Sequence, residues 1–205
     1  MSTIVVAVVG RKGGGGKTTL AANLAAALAR TEAVVLVDAD PSGSLVSLLP
    51  GGDRLRVVAA RTEEVLEREL DRARGLVVVD TPPVLVGPAA LAVGRAALVV
   101  VPVCPSVVDL LSAAPLVESL RKAGKPALVV LTQVRAGTRA AATAREAVAA
   151  LGLPVARAEL RHRVIYSDSL AAGRTAVDLA PGGPAAAEVR SIASEVRRLL
   201  RKGTR

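Results

Sequence analysis

Five short runs of unbroken apolar residues recur along the chain: Ile4–Val9, Val34–Val37, Leu76–Val79, Leu98–Val101 and Leu128–Leu131. None alternates apolar with polar positions, so each predicts a strand covered on both faces. Between them the spacing becomes helical, over Thr18–Ala29, Thr62–Ala73, Asp109–Ala123 and Thr138–Leu151. Val57–Ala59 and Val155 offer further short strands. Pro115 falls inside the third helical pattern, so that helix is expected to start late or to kink. Ala180-Pro181-Gly182-Gly183-Pro184 breaks the chain before a last helix at Ala185–Leu200. This alternation predicts an α/β fold: a doubly wound, mainly parallel sheet flanked by helices, with right-handed crossovers and ligands at the C-terminal ends of the strands. No repeat or linker divides the 205 residues, which suit a single domain over 1–205.

Composition adds limits. Apolar residues make up 51% of the chain, so a globular fold is expected rather than disorder. Tyr166 is the only aromatic residue among Phe, Trp and Tyr, so the core must be aliphatic. Cys104 is the only cysteine, which excludes an intrachain disulfide or a cysteine-built metal site and fits a reducing cytoplasm. The opening run lacks a basic flank and is too short for a membrane span.

The net charge of +9 is unevenly placed. Residues 1–118 hold 11 basic and 12 acidic side chains, whereas residues 119–205 hold 16 and 6. The excess is either a solvated basic surface or a footprint for a polyanion.

The strongest chemical signal follows the first strand: Gly10-Arg11-Lys12-Gly13-Gly14-Gly15-Gly16-Lys17-Thr18-Thr19, then a helix. Glycines at 13, 14, 15 and 16 let the backbone turn its N–H groups inward as a nest for phosphate oxygens. The helix N-terminus adds partial positive charge. Lys17 is placed for the β- and γ-phosphates, and the Thr18 hydroxyl for Mg²⁺. After the second strand, Asp38 and Asp40 stand two residues apart, so both can face one pocket while Ala39 points away. Asp80 ends the Leu76–Val79 run, before Thr81-Pro82-Pro83, in a Walker B arrangement.

The run KGGGGKTT departs from the ordinary P-loop spacing, with Arg11 where a glycine is usual. It resembles the deviant Walker A motif of the ParA/MinD superfamily of P-loop ATPases, and Arg11 leans towards the ParA-like branch. The resemblance covers nearly the whole chain. It implies that Lys12 reaches the phosphates of a partner in an ATP-sandwiched homodimer, and that Lys12, Lys17 and Asp40 serve catalysis. Asp40 would position or activate the attacking water. Asp38 and Asp80, with Thr18, would surround Mg²⁺. ATP would bind along Lys12, Gly13, Gly14, Gly15, Gly16, Lys17, Thr18 and Thr19. Adenine is expected near Thr132 and Pro105, although both positions also suit ordinary strand-end turns. Ser42 stands where the family carries glutamine, which puts any role for that side chain in doubt.

The implied activity is hydrolysis of ATP to ADP and phosphate, slow until a ParB-like or other adaptor stimulates it. The ATP dimer would bind DNA without sequence preference and so partition or position a plasmid, chromosome or other cargo, in a cytoplasmic, nucleoid-associated location. Candidate DNA contacts are Arg157, Arg161, Arg163, Arg190, Arg197, Arg198, Arg201 and Lys202. A MinD-like, membrane-cycling ATPase is the alternative. The stripe Val189, Ile192, Val196, Leu199 and Leu200 suits either an interfacial helix or a docking face, and no stable membrane association is expected. Lys12 and the basic skew argue against a metabolic ligase. His162, between two arginines, suits a surface or interface role rather than catalysis, and Tyr166 a partly buried one.

Overall fold

The structure is a computed structural model and describes residues 3–203. The apolar runs are strands because their successive side chains feed two separate cores. In β1 (Thr3–Val8), Val6 and Val8 enter one cluster while Val5 and Ala7 enter the other. The remaining strands are β2 (Val34–Asp38), β3 (Leu55–Ala59), β4 (Gly75–Asp80), β5 (Leu98–Val103) and β6 (Ala127–Leu131). They form one six-stranded sheet in the order β3-β2-β4-β1-β5-β6, with every pair parallel.

The first cluster lies beneath α1 (Lys17–Ala29), α7 (Ile165–Ala171), α8 (Ala176–Leu179) and α9 (Pro184–Gly203), with Leu45 of the short α2 (Leu45–Leu48). The second lies beneath α3 (Glu63–Arg72), α4 (Pro88–Arg95), α5 (Val107–Lys122) and α6 (Ala140–Ala150). From β1 the chain moves towards β2, whereas from β4 it crosses towards β5. The loop after β1 therefore emerges where the winding reverses, the usual ligand crevice of such sheets.

Several details differ from the sequence pattern. α5 begins at Val107 and runs through Pro115 instead of starting late. The Leu111 carbonyl that loses its N–H donor there belongs to an exposed residue, so water can satisfy it. Ser106 caps this helix by accepting the Asp109 N–H at 3.1 Å. Val155 makes a single parallel bridge to Val129 rather than a strand. The helices α2, α4, α7 and α8 are too short for a periodic signal to mark them.

In α9 the residues Val189, Ile192 and Val196 are fully buried, packed with Leu20, Leu24 and Leu28 of α1 in the first cluster. The apolar stripe is therefore the face that docks this helix onto the domain. No helix among the described residues is long and apolar enough to cross a membrane.

Candidate nucleotide site

The loop between β1 and α1 is shaped by glycine. Gly16 has φ 86°, a left-handed conformation open to glycine at little cost, and stands at the N-cap of α1 without a side-chain capping bond. No acidic residue lies in the first turn of α1. The helix therefore opens with N–H groups and partial positive charge directed at the loop, an arrangement that suits an anion. Two residues after β6 hold the loop from the side. The Thr132 hydroxyl donates to the Gly15 carbonyl at 3.0 Å, and Gln133 Nε2 donates to the Gly14 carbonyl at 2.5 Å.

Lys17 is buried and donates from Nζ to the Lys12 carbonyl at 2.8 Å. Burial lowers its pKa, opposed by the negative charges of Asp80 and Asp40. Lys12 points elsewhere. Its ammonium pairs with Asp109 at 3.1 Å, and Asp109 is itself bonded to the Ser106 hydroxyl. The Ser106 bond, together with Lys12, holds the Asp109 carboxyl below the ordinary range.

The carboxylates are brought together by strand register. Asp38 and Asp80 are direct partners across the β2–β4 pair, so their Cα atoms lie about 4.8 Å apart. Each shares its face with the residue two before it, Leu36 or Val78, both in the cluster beneath α1. Both side chains thus point towards the start of α1, where the Thr18 hydroxyl sits against the Asp80 carboxyl.

Asp38 Oδ2 accepts the Leu45 N–H at 3.0 Å. The Oδ1 atoms of Asp38 and Asp80 are buried with no hydrogen-bond partner among the described residues. Burial pushes the Asp80 carboxyl up to about 7, with Asp38 adding to the effect and Thr18 opposing it. Burial also raises Asp38, against the pull of the Leu45 N–H. Orphaned buried oxygens on two adjacent acids are costly in a finished core, and a hard divalent cation relieves both. The residues present fit Mg²⁺ held by Thr18, Asp38 and Asp80, next to phosphates held by the loop.

Gly43 is part of this arrangement. A Cβ there would lie 2.0 Å from Asp38 Oδ1, so only glycine leaves the carboxylate in place. Asp40 lies just outside. Its Oδ1 accepts the Ser42 N–H at 2.9 Å and the Ser42 hydroxyl at 2.7 Å. Ser42, the departure from the family pattern, therefore orients Asp40.

Thr132 and Pro105 border two cavities that share Gln133. Thr132 borders a cavity of about 290 Å³ with Gly16, Thr19, Leu160, Arg161, His162, Arg163 and Tyr166. Pro105 borders another, of about 640 Å³, with Lys12, Gly13, Gly14, Gly15, Asp109 and Arg135. The segment Leu160–Arg163 thus belongs to the nucleotide end of the sheet, a placement that its basic character had hidden.

The arginines singled out in the sequence also differ in how they are held. Arg163 makes two bonds to Glu188, at 3.0 and 2.7 Å, and Glu188 also accepts the Tyr166 hydroxyl. Arg161 lies 3.8 Å from Glu159. Arg190 donates to the Pro181 carbonyl at 2.6 Å. Arg197 bonds Glu32 at 3.0 Å and the Leu28 carbonyl at 2.8 Å, which ties α9 to the end of α1. Arg198 is 3.4 Å from Glu195. Arg201 and Lys202 are exposed and form no ion pair among the described residues.

A parallel doubly wound sheet with a glycine nest at its central strand, a buried lysine and paired strand-end aspartates defines a P-loop nucleotide-binding protein. Residues 6–177 match the family model of the CobQ/CobB/MinD/ParA nucleotide binding domain, and the chain belongs to that family.

Two relatives are named maintenance of carboxysome distribution protein A. The one from Gloeobacter kilaueensis is 45% identical over 139 residues, covering 63% of each chain. The one from Halothiobacillus neapolitanus is 30% identical over 205 residues, covering 93% of this chain and 95% of the relative. Among solved structures, the septum site-determining protein MinD from Pyrococcus horikoshii, complexed with Mg-ADP, has a TM-score of 0.78 at 22% identity. That match covers 96% of this chain and 97% of the other.

Proposed function

We propose that this chain is a nucleotide-switched positioning ATPase that dimerises on Mg-ATP, binds DNA without sequence preference and is reset by hydrolysis. The observation that carries the proposal is the meeting of Lys17, Thr18, Asp38 and Asp80 at the open N-terminus of α1, with two carboxylate oxygens unpaired. The relatives' shared name favours a carboxysome-like body as cargo over a plasmid.

Backbone amides of Gly13–Gly16 and the Lys17 ammonium hold the phosphates. Thr18, Asp38 and Asp80 would hold Mg²⁺, which would supply neutralising positive charge beside the phosphates. Asp40, fixed through one oxygen by Ser42, keeps its other oxygen to orient a water. Lys12 leaves Asp109 to reach the partner's phosphates, so assembly exchanges an intrachain ion pair for an interchain contact. An adaptor that stimulates slow basal turnover completes the cycle. Burial of the α9 stripe weighs against membrane cycling.

Duplex DNA of random sequence, titrated with ATP, ADP or no nucleotide at two salt concentrations, tests the switch. Binding is expected with ATP alone and should weaken as salt rises. Asp40→Ala should keep ATP-dependent DNA binding while losing turnover. Equal affinity in all three nucleotide states rejects the switch.

A further inference from the structure

Six of the eight candidate DNA contacts fall at two opposite ends of the sheet. Arg161 and Arg163 line the cavity beside Gly16 and Thr19, at the nucleotide end. The acids Glu159 and Glu188 neutralise them there. α9 starts at that end, because Glu188 in its first turns holds Arg163 and Tyr166. It finishes at the other, because Arg197 bonds Leu28, Thr31 and Glu32 just before β2 begins. From Glu188 to Arg201 the helix advances about 20 Å.

At its far end, Ser194, Arg197, Arg198, Arg201 and Lys202 line a groove of about 440 Å³. No acidic residue lines it. The neighbouring hollow is different, with Asp53 and Asp178 set against Arg30 and Arg54. Within the groove Arg197 is committed to Glu32 and the end of α1, so its part is to hold the helix in place. Arg198 has one long contact to Glu195, and Arg201 and Lys202 have no acidic partner among the described residues. The apolar residues Val189, Ile192 and Val196 of the same helix are buried, and Leu199 and Leu200 are partly buried against the first cluster, so little apolar surface beside the groove is left to insert into lipid.

We infer that the groove formed by Arg198, Arg201 and Lys202, with Arg197 as its positioning residue, is where this protein grips the phosphate backbone of DNA. The inference rests on the DNA-binding reading above and narrows it to one end of the molecule, remote from the nucleotide. Nucleotide then controls DNA affinity by pairing two weak grooves in a dimer, which multiplies their hold, and not by reshaping either groove. Cations in the last turn also complement the helix dipole. That lesser role predicts a change in stability, whereas the groove predicts a change in DNA affinity.

The test compares wild type, the triple variant Arg198→Ala/Arg201→Ala/Lys202→Ala and Arg68→Ala, which removes an exposed cation of α3 on the opposite face of the sheet. Each is titrated with random-sequence duplex DNA in Mg-ATP, with calorimetric Mg-ATP affinity and thermal midpoint measured alongside. The triple variant should bind DNA more than about tenfold more weakly at roughly 0.1 M salt, with a salt slope lower by about 5.4 for the dimer, three cations in each of its two grooves. Its Mg-ATP affinity should match wild type and its midpoint should fall by only about a few degrees, the loss expected from the helix dipole, and Arg68→Ala should bind DNA within about twofold of wild type. DNA affinity retained by the triple variant overturns the groove while leaving the switch intact. Wild type that binds no DNA with Mg-ATP overturns both. Tighter binding to vesicles rich in phosphatidylserine than to DNA, lost in the triple variant, assigns the groove to membrane and overturns the inference.

Discussion

Asp80 ends its strand with a carboxyl buried beside Asp38, and its pKa is pushed up to about 7 by that burial. In the unfolded chain the same group titrates near about 3.9. A raised folded value means that the native state favours the proton. The stabilisation is complete below about pH 4 and is lost as pH rises through about 7, roughly 4 kcal/mol at most by pH 8. The nucleotide-free protein should therefore be less stable at pH 8 than at pH 5.5, and Asp80→Asn should flatten much of that slope. Denaturant midpoints at the two pH values measure it. Equal pH dependence in the wild type and variant would mean that Asp80 is not the titrating group.

Not all of this was readable from residue order. The strand-end aspartates and the lysines were, because a P-loop fixes its residues within a few positions. The contact between Asp38 and Asp80 was not, since it depends on register across β2 and β4. Gly43 carried no signal either, because what it avoids is an atom five residues back that only the folded turn brings near.

Among the elements, α9 shows how one pattern admits two meanings. Its stripe has the spacing of an interfacial helix and of a docking helix alike, and burial against α1 selects docking. Ile192 is fully buried there, so Ile192→Ala should cost about 2–5 kcal/mol of unfolding free energy. Chemical denaturation checks this, and a loss well under 1 kcal/mol would mean that the stripe is not core. The long strands and α1 were legible because unbroken apolar runs mark a doubly covered sheet. Pro115 left a late start or a kink open because its cost depends on which carbonyl it orphans; α5 starts at Val107 and continues through it, and that carbonyl belongs to the exposed Leu111. Arg163 looked like a free cation because Glu188, its partner, is 25 residues away in the chain.

Over the whole molecule, the sheet separates two tasks. The glycine loop and the paired aspartates lie at the C-terminal ends of the strands, and Arg201 and Lys202 of α9, without an acidic partner among the described residues, lie at the other end. The excess charge of residues 119–205 is thus not a single surface. Part of it is neutralised by Glu159 and Glu188 beside the nucleotide cavity, and part stands free in the distal groove. The two ends can be coupled only if Mg-ATP is bound. The most direct measurement is calorimetric titration of Mg-ATP into the folded wild-type protein and into Lys17→Ala. Saturable binding that depends on Mg²⁺ in the wild type and is absent from the variant is predicted. No heat in the wild type, or equal affinity in both proteins, would contradict the account.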